Sequence, residues 1–137
     1  MSTSTAKKIN RLLWTAQTLT ALLFLFAGST KFIMSAAQLQ QGPVVLPMPF
    51  IHFIGICECL GGLGLLLPGL LRIRPVLTPL AAAGLTIIMI GATIVSIPMG
   101  AGAAFPAVVG VVTAWISYAR TRVLPLADAP RRVLRAA

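Results

Sequence analysis

The chain has 137 residues, of which 58% are hydrophobic and only 9% are charged, and its formal net charge is +9. A water-soluble domain of this length would lack the polar side chains needed to cover its surface, so the composition excludes that class and indicates a membrane protein. The positive charge does not indicate nucleic-acid binding, because no nucleic-acid-binding motif accompanies it and anionic lipid head groups account for it.

Four apolar runs separated by short connections predict four transmembrane helices, at about residues 12–34, 48–71, 77–97 and 103–119. Each run is close to the roughly 20 residues that a helix needs to cross a bilayer core. Short connections favour antiparallel neighbours, so the expected fold is all-α, a four-transmembrane-helix bundle with up-down-up-down topology. Residues 1–122 are predicted to form this domain, and residues 123–137 a basic cytoplasmic tail that rests on the inner leaflet or is disordered.

The positions of the basic residues predict how the chain is oriented. All but Lys31 lie before the first run, between the second and third, or after the fourth: Lys7, Lys8, Arg11, Arg72, Arg74, Arg120, Arg122, Arg131, Arg132 and Arg135. An even number of crossings places these clusters on one side, which the positive-inside rule assigns to the cytoplasm. We therefore expect a multi-pass protein of a bacterial-type inner membrane, with cytoplasmic N- and C-termini. The alternative is a cleaved signal peptide, but the first run is too long and Lys31 interrupts its end.

Small residues predict the faces on which the helices pack. Lipid tails compete with leucine for apolar surface, so only close backbone approach or polar contact favours helix association. Glycines recur at a spacing of seven in the second and third runs, and further small residues mark the first and fourth. The predicted helix-packing residues are Gly28, Gly55, Gly61, Gly62, Gly84, Gly91 and Gly110. The expected partner is the lipid bilayer, with a homodimer through a glycine seam or a membrane redox partner as further options.

Glu58 is the most informative side chain, because it is one of only two acidic residues and lies near the middle of the second run. An acid at that depth costs about 3 kcal/mol or more and usually faces another helix with a partner. Lys31 is the natural counter-charge, but simple depth arithmetic places it about 10 Å nearer the outer boundary, which leaves direct contact open. His52 is the alternative neighbour, and Gln17 shares the inward face of the first run with Lys31.

Each of these residues also has a structural interpretation. For Lys31, a side chain that extends to the membrane interface is as well supported as one that faces the other helices. His52 is consistent with a hydrogen-bonded histidine at the interface, and Glu58 with a charged group that only holds two helices together. Cys57 and Cys59 point about 200° apart on a helix and cannot bridge each other, so we interpret them as free thiols. A redox thiol or metal ligand would need partner residues that the sequence lacks, so no metal site is predicted and no cofactor is evident apart from a quinone.

Three segments of the chain carry distinctive patterns: AGSTKF at Ala27–Phe32 and GICECLGGLGLLLP at Gly55–Pro68 each contain a charge among small residues, and LTPLAAAGL at Leu77–Leu85 is rich in small residues. In these segments the chain resembles the DoxX-like family of small four-helix inner-membrane proteins, over about residues 12–122. The resemblance implies that Glu58 and Lys31 match the family's recurrent acidic and basic positions. It also implies an association with respiratory or thiol redox chemistry and a relation to membrane chaperones. The chain has no haem-ligating histidine pair, nucleotide motif or CxxC, so a redox role requires a bound quinone or a partner.

Three functions compete on the sequence alone. The first is a scaffold or accessory subunit without catalytic activity of its own, whose ligand-binding residues Glu58, Lys31, His52 and Gln17 form a polar pocket for a quinone-like or other amphipathic ligand. The second is a small proton-coupled transporter in which Glu58 carries the proton. The third is a membrane assembly factor or chaperone in which the charged pair only fixes helix register.

Overall fold

All regular secondary structure in the described part of the chain is helical. A computed structural model describes residues 2–126, so the predicted tail from residue 127 onward lies outside the described residues. The α-helices are α1 Thr3–Ile33, α2 Ala36–Leu39, α3 Met48–Leu71, α4 Leu77–Ser96 and α5 Ala104–Tyr118. A 3₁₀ segment, Ile97–Ala103, connects α4 to α5, and a π-helical turn, Ala119–Val123, follows α5. The all-α prediction is confirmed for residues 2–126.

Local sequence explains where several of these helices begin and end. α1 begins well before the apolar run, because the Ser2 side chain accepts a hydrogen bond from the backbone N–H of Thr5 and caps the helix. α2 begins with a capping box formed by Ser35 and Gln38. α3 ends at Arg72, which adopts the left-handed conformation with φ 52°.

Three helical stretches of the described chain are long and apolar enough to cross a membrane: Thr3–Ile33, Met48–Leu71 and Leu77–Val123. The third has 47 residues because it includes both α4 and α5. The sequence predicts four separate crossings, but α5 alone has only 15 residues, fewer than the roughly 20 that span a bilayer core. Gly100 interrupts the long stretch with φ 62° and ψ −113°, angles that favour glycine. α4 and α5 are therefore two helices joined at a sharp turn.

α1 and α3 run antiparallel and lie close together along glycines. A Cβ atom added to Gly28 would lie 2.7 Å from the backbone oxygen of Gly55, and one added to Gly62 would lie 3.0 Å from the backbone oxygen of Ala21. Any side chain at these positions would push the two backbones apart. Gly28, Gly55 and Gly62, three of the predicted packing residues, therefore lie where α1 and α3 approach each other closely.

α4 packs antiparallel against both α3 and α5. Gly61 of α3 faces the side chain of Leu85, and Gly110 of α5 faces Met89. Two polar contacts join α4 to α5: the Thr86 and Thr113 hydroxyls lie 2.9 Å apart, and the Ser117 hydroxyl donates to the Pro79 carbonyl over 2.9 Å. These contacts enclose a shared core with α1 and α3, formed by Ala21, Phe24, Leu65, Ala82, Leu85, Met89 and Ile116.

Two of the predicted packing glycines do not make helix contacts. Gly84 and Gly91 are exposed, and a Cβ added to either would meet nothing within 4 Å in the described chain. The reason is that α4 turns a different face to its neighbours, the one that carries Ala82, Leu85 and Met89. The glycine seam predicted on α4 is thus corrected to an outward-facing stripe.

Candidate functional site

Lys31 and Glu58 form an ion pair between α1 and α3. The Lys31 Nζ atom lies 2.6 Å from the Glu58 Oε2 atom, and the side chains are 22% and 5% exposed. Nζ also donates to the backbone oxygen of Ala27 over 3.3 Å, one turn back along α1. The ammonium is therefore directed along α1 toward the middle of the structure. The two groups are therefore in direct contact, which the difference between their depths along the helices does not predict.

The direction of helical side chains explains how the pair forms across its depth difference. A side chain on an α-helix leans toward the N-terminus of its own helix. Because α1 and α3 are antiparallel, Lys31 leans toward the beginning of α1 and Glu58 leans toward the beginning of α3, so the two side chains converge. The close approach of the backbones at Gly28 and Gly55 brings the two side chains within reach.

A cavity of about 300 Å³ lies beside the ion pair. Its wall is mainly apolar, and its polar side chains come from α1, α3 and the end of α4. The lining residues that matter for chemistry are Phe24, Lys31, Glu58, Met89, Ser96, Phe105 and Val109. The second carboxylate oxygen of Glu58, Oε1, accepts no hydrogen bond from residues 2–126. An acceptor and an ammonium therefore lie side by side at the edge of an apolar chamber.

The other two predicted ligand-binding residues lie elsewhere. His52 stacks on Phe32, with ring centroids 5.3 Å apart, and makes no hydrogen bond to Glu58. The structure thus places His52 near the beginning of α3 and outside the cavity lining. Gln17 is fully buried, and its side chain donates to the backbone oxygen of Leu65 over 2.7 Å. Gln17 belongs to a different polar cluster at the opposite end of α1.

Arg120 is the centre of that second cluster, and it is only 3% exposed. Its Nε atom donates to Gln17 Oε1 over 2.5 Å, and its Nη1 atom donates to Asn10 Oδ1 over 2.9 Å. Nη1 also reaches the backbone oxygen of Leu124, and the guanidinium carbon lies 5.5 Å from the ring centroid of Trp14. This cluster ties the end of α5 to the first half of α1.

Sequence reasoning misses Arg120, because it counts this residue only as one of the cytoplasmic positive charges. The sequence nonetheless contains a pattern that indicates a buried position for Arg120. Gly110, Thr113, Ile116 and Arg120 follow each other at spacings of three, three and four, which places them on one helical face. That face is buried, so an arginine continuing it is expected to turn inward.

The described residues do not bring together a metal site. Among residues 2–126, no group of three or more His, Cys, Asp or Glu side chains is placed to hold a metal ion. Cys57 and Cys59 are half-buried free thiols.

Long apolar helices, a buried ion pair between them and small-residue contacts along their faces define a multi-pass helical membrane protein in contact with the lipid bilayer. The chain belongs to the DoxX-like family, whose model matches residues 15–117. Neither a curated protein nor a solved structure matches the chain.

Proposed function

We propose that the Lys31–Glu58 pair and its cavity form a binding pocket for a quinone-like or other amphipathic ligand. The protein would act as an accessory or scaffold subunit, with no catalytic activity of its own. The observation that carries this proposal is the unpartnered Oε1 atom of Glu58 at the edge of an otherwise apolar cavity. Glu58 as a whole is only 3% exposed, and a carboxylate oxygen without a protein donor can accept a hydrogen bond from a ligand donor.

The two charged groups complement the polar edge of a quinone. An ammonium has three N–H donors, and Lys31 uses two of them, toward Glu58 and Ala27. The remaining donor fits a ligand carbonyl, while Oε1 of Glu58 fits a ligand hydroxyl. A quinone presents the first group and its reduced form the second. Glu58 is then also placed to exchange a proton with the bound ligand.

The apolar wall fits the ring and tail of such a ligand. Phe24 and Phe105 line the cavity, and Phe24 is buried whereas Phe105 is exposed. A volume of about 300 Å³ is at the lower end of the range for ligand sites. It matches a single-ring head group whose chain continues into the lipid.

Replacing Glu58 with glutamine tests the pocket, because it removes the charge and proton exchange while nearly preserving shape. We expect binding of a short-chain benzoquinone to the purified protein, measured by equilibrium dialysis, to weaken at least tenfold without loss of helicity. A second variant, Ala92→Leu, fills the cavity and should weaken binding equally. Gly91→Leu is the matched control, since its side chain points away from the described helices. Unchanged binding in both test variants would remove the proposal.

We further propose four membrane crossings with both termini in the cytoplasm of a bacterial-type inner membrane. The support is that Lys7, Arg72 and Arg120, one from each predicted basic cluster, line a single cavity at one end of the helices. The turn at Gly100 returns α5 to that end.

The crossing number predicts the accessibility of single cysteines placed in the connections. In a background with Cys57 and Cys59 replaced by serine, a membrane-impermeant maleimide should label Gln41→Cys from the periplasmic side of intact cells. It should label Arg74→Cys only after the cells are opened. Labelling of both sites in intact cells, with a cytoplasmic protein protected, would contradict the four-crossing topology.

A further inference from the structure

We propose that the basic end of the protein binds a phosphate-type anion in a second cavity, separate from the Lys31–Glu58 pocket. This basic-end cavity has a volume of about 740 Å³. Its lining includes Lys7, Asn10, Trp14, Arg72, Arg120 and Leu126. It lies where the beginning of α1, the end of α3 and the end of α5 meet.

The charge around the basic-end cavity is unbalanced. Lys7, Arg72 and Arg120 all border it, and no acidic residue does so among residues 2–126. Like charges around a shared cavity repel each other, and the repulsion is weakly screened where a side chain is buried. A bound anion would reverse the sign of these interactions. A phosphate group suits this role, because arginine forks and lysine ammonium groups are its usual ligands in proteins.

Arg120 provides the second, independent observation. It is 3% exposed, and its Nε and Nη1 atoms are fully engaged by Gln17, Asn10 and the Leu124 carbonyl. Its Nη2 atom is buried and has no hydrogen-bond partner among the described residues. Unpaired buried donors on a charged group are strongly disfavoured. The guanidinium is thus held by three neutral acceptors, and no acidic side chain among the cavity-lining residues balances its charge.

The cavity wall also fits the region of a phospholipid next to its phosphate. Trp14 and Leu126 add apolar surface beside the cations, and amphipathic rings favour the depth of the head groups. The shared chemistry is a phosphate anion held by two exposed cations and one buried guanidinium. Its source is either a phospholipid head group or free phosphate, and the experiment below separates the two.

The test compares two double variants that remove the same charge from neighbouring positions. Lys7→Gln with Arg72→Gln removes two cations that line the cavity, whereas Lys8→Gln with Arg74→Gln removes two exposed cations that do not. Each purified protein is delipidated in detergent and mixed with equal amounts of phosphatidylglycerol and phosphatidylcholine. Retained lipid is measured by native mass spectrometry. Inorganic phosphate alone is titrated in a parallel arm by isothermal calorimetry.

We expect the wild type and the Lys8/Arg74 variant to retain phosphatidylglycerol at least tenfold over phosphatidylcholine, and the Lys7/Arg72 variant to lose this preference. Binding of inorganic phosphate with the same dependence on Lys7 and Arg72 would identify free phosphate as the source. If the double variant fails to fold, Lys7→Gln is compared with Lys8→Gln in the same way.

Two outcomes would overturn the proposal. The first is no anion preference in the wild type, and the second is an equal loss in both double variants, which would indicate surface charge alone.

Discussion

Replacing Gly28 with alanine is expected to destabilise the protein by about 2 kcal/mol, because the added methyl group overpacks the contact between α1 and α3. The new Cβ would lie 2.6 Å from the Cys59 Sγ atom and 2.7 Å from the Gly55 carbonyl oxygen. The second of these atoms belongs to a backbone and cannot rotate away. The helices must separate, which also lengthens the Lys31–Glu58 contact.

The measurement is the free energy of unfolding in mixed detergent micelles, followed by circular dichroism. Gly84→Ala is the matched control, since that glycine is helical and a Cβ there meets nothing within 4 Å. Removing a glycine from an exposed helical position should stabilise the protein by about 0.5–1 kcal/mol. The two identical substitutions are therefore expected to have opposite signs. Equal effects would contradict the proposed close approach at Gly28.

Replacing Arg120 with leucine is expected to cost about 3 kcal/mol, the largest effect of any single substitution considered. Hydrogen bonds to a charged group contribute about 1.5–3 kcal/mol, and the change leaves the buried Gln17 Oε1 atom without its donor. It also removes the contact with the Trp14 ring and the connection between the ends of α1 and α5.

A double-mutant cycle separates the Arg120–Gln17 pair from general loss of charge. The variant carrying both Gln17→Leu and Arg120→Leu should be less destabilised than the sum of the two single variants, because neither polar partner is then left buried alone. Arg122→Leu is the control for charge, since Arg122 is exposed, and it should change stability by less than about 0.5 kcal/mol. Additive effects of Gln17 and Arg120 would show that the hydrogen bond does not couple them.

The sequence predicts the helical character of this protein well, because the length and spacing of apolar runs are direct properties of the chain. It also identifies Lys31 and Glu58, since charges within apolar runs are rare and costly. The sequence does not show whether the two side chains are in contact. Depth arithmetic uses Cα positions only, whereas the pair depends on side chains that lean toward each other from antiparallel helices.

Other features depend on which face each helix turns toward its neighbours. A spacing of seven places Gly84 and Gly91 on one face of α4, but the spacing alone does not say whether that face is inside. For the same reason the sequence does not predict that Arg120 is buried. Its place among other basic residues indicates the membrane edge, although its helical face is buried. His52 is separated from Glu58 because it lies six residues earlier on α3, about 9 Å away along the axis and on a different face, where it stacks on the Phe32 ring.

The turn at Gly100 links the shape of the cavity beside the Lys31–Glu58 pair to a single pair of torsion angles. No described atom would touch a Cβ atom at this position, so packing does not restrict which residue can occupy it. The restriction on the residue type comes from the backbone angles φ 62° and ψ −113°, a combination that residues other than glycine adopt only with strain. Gly102, Phe105 and Pro106, which follow the turn, form part of the cavity wall. A substitution at Gly100 would therefore change the shape of a cavity that Gly100 does not line, so the residues tolerated at this position are set by backbone stereochemistry.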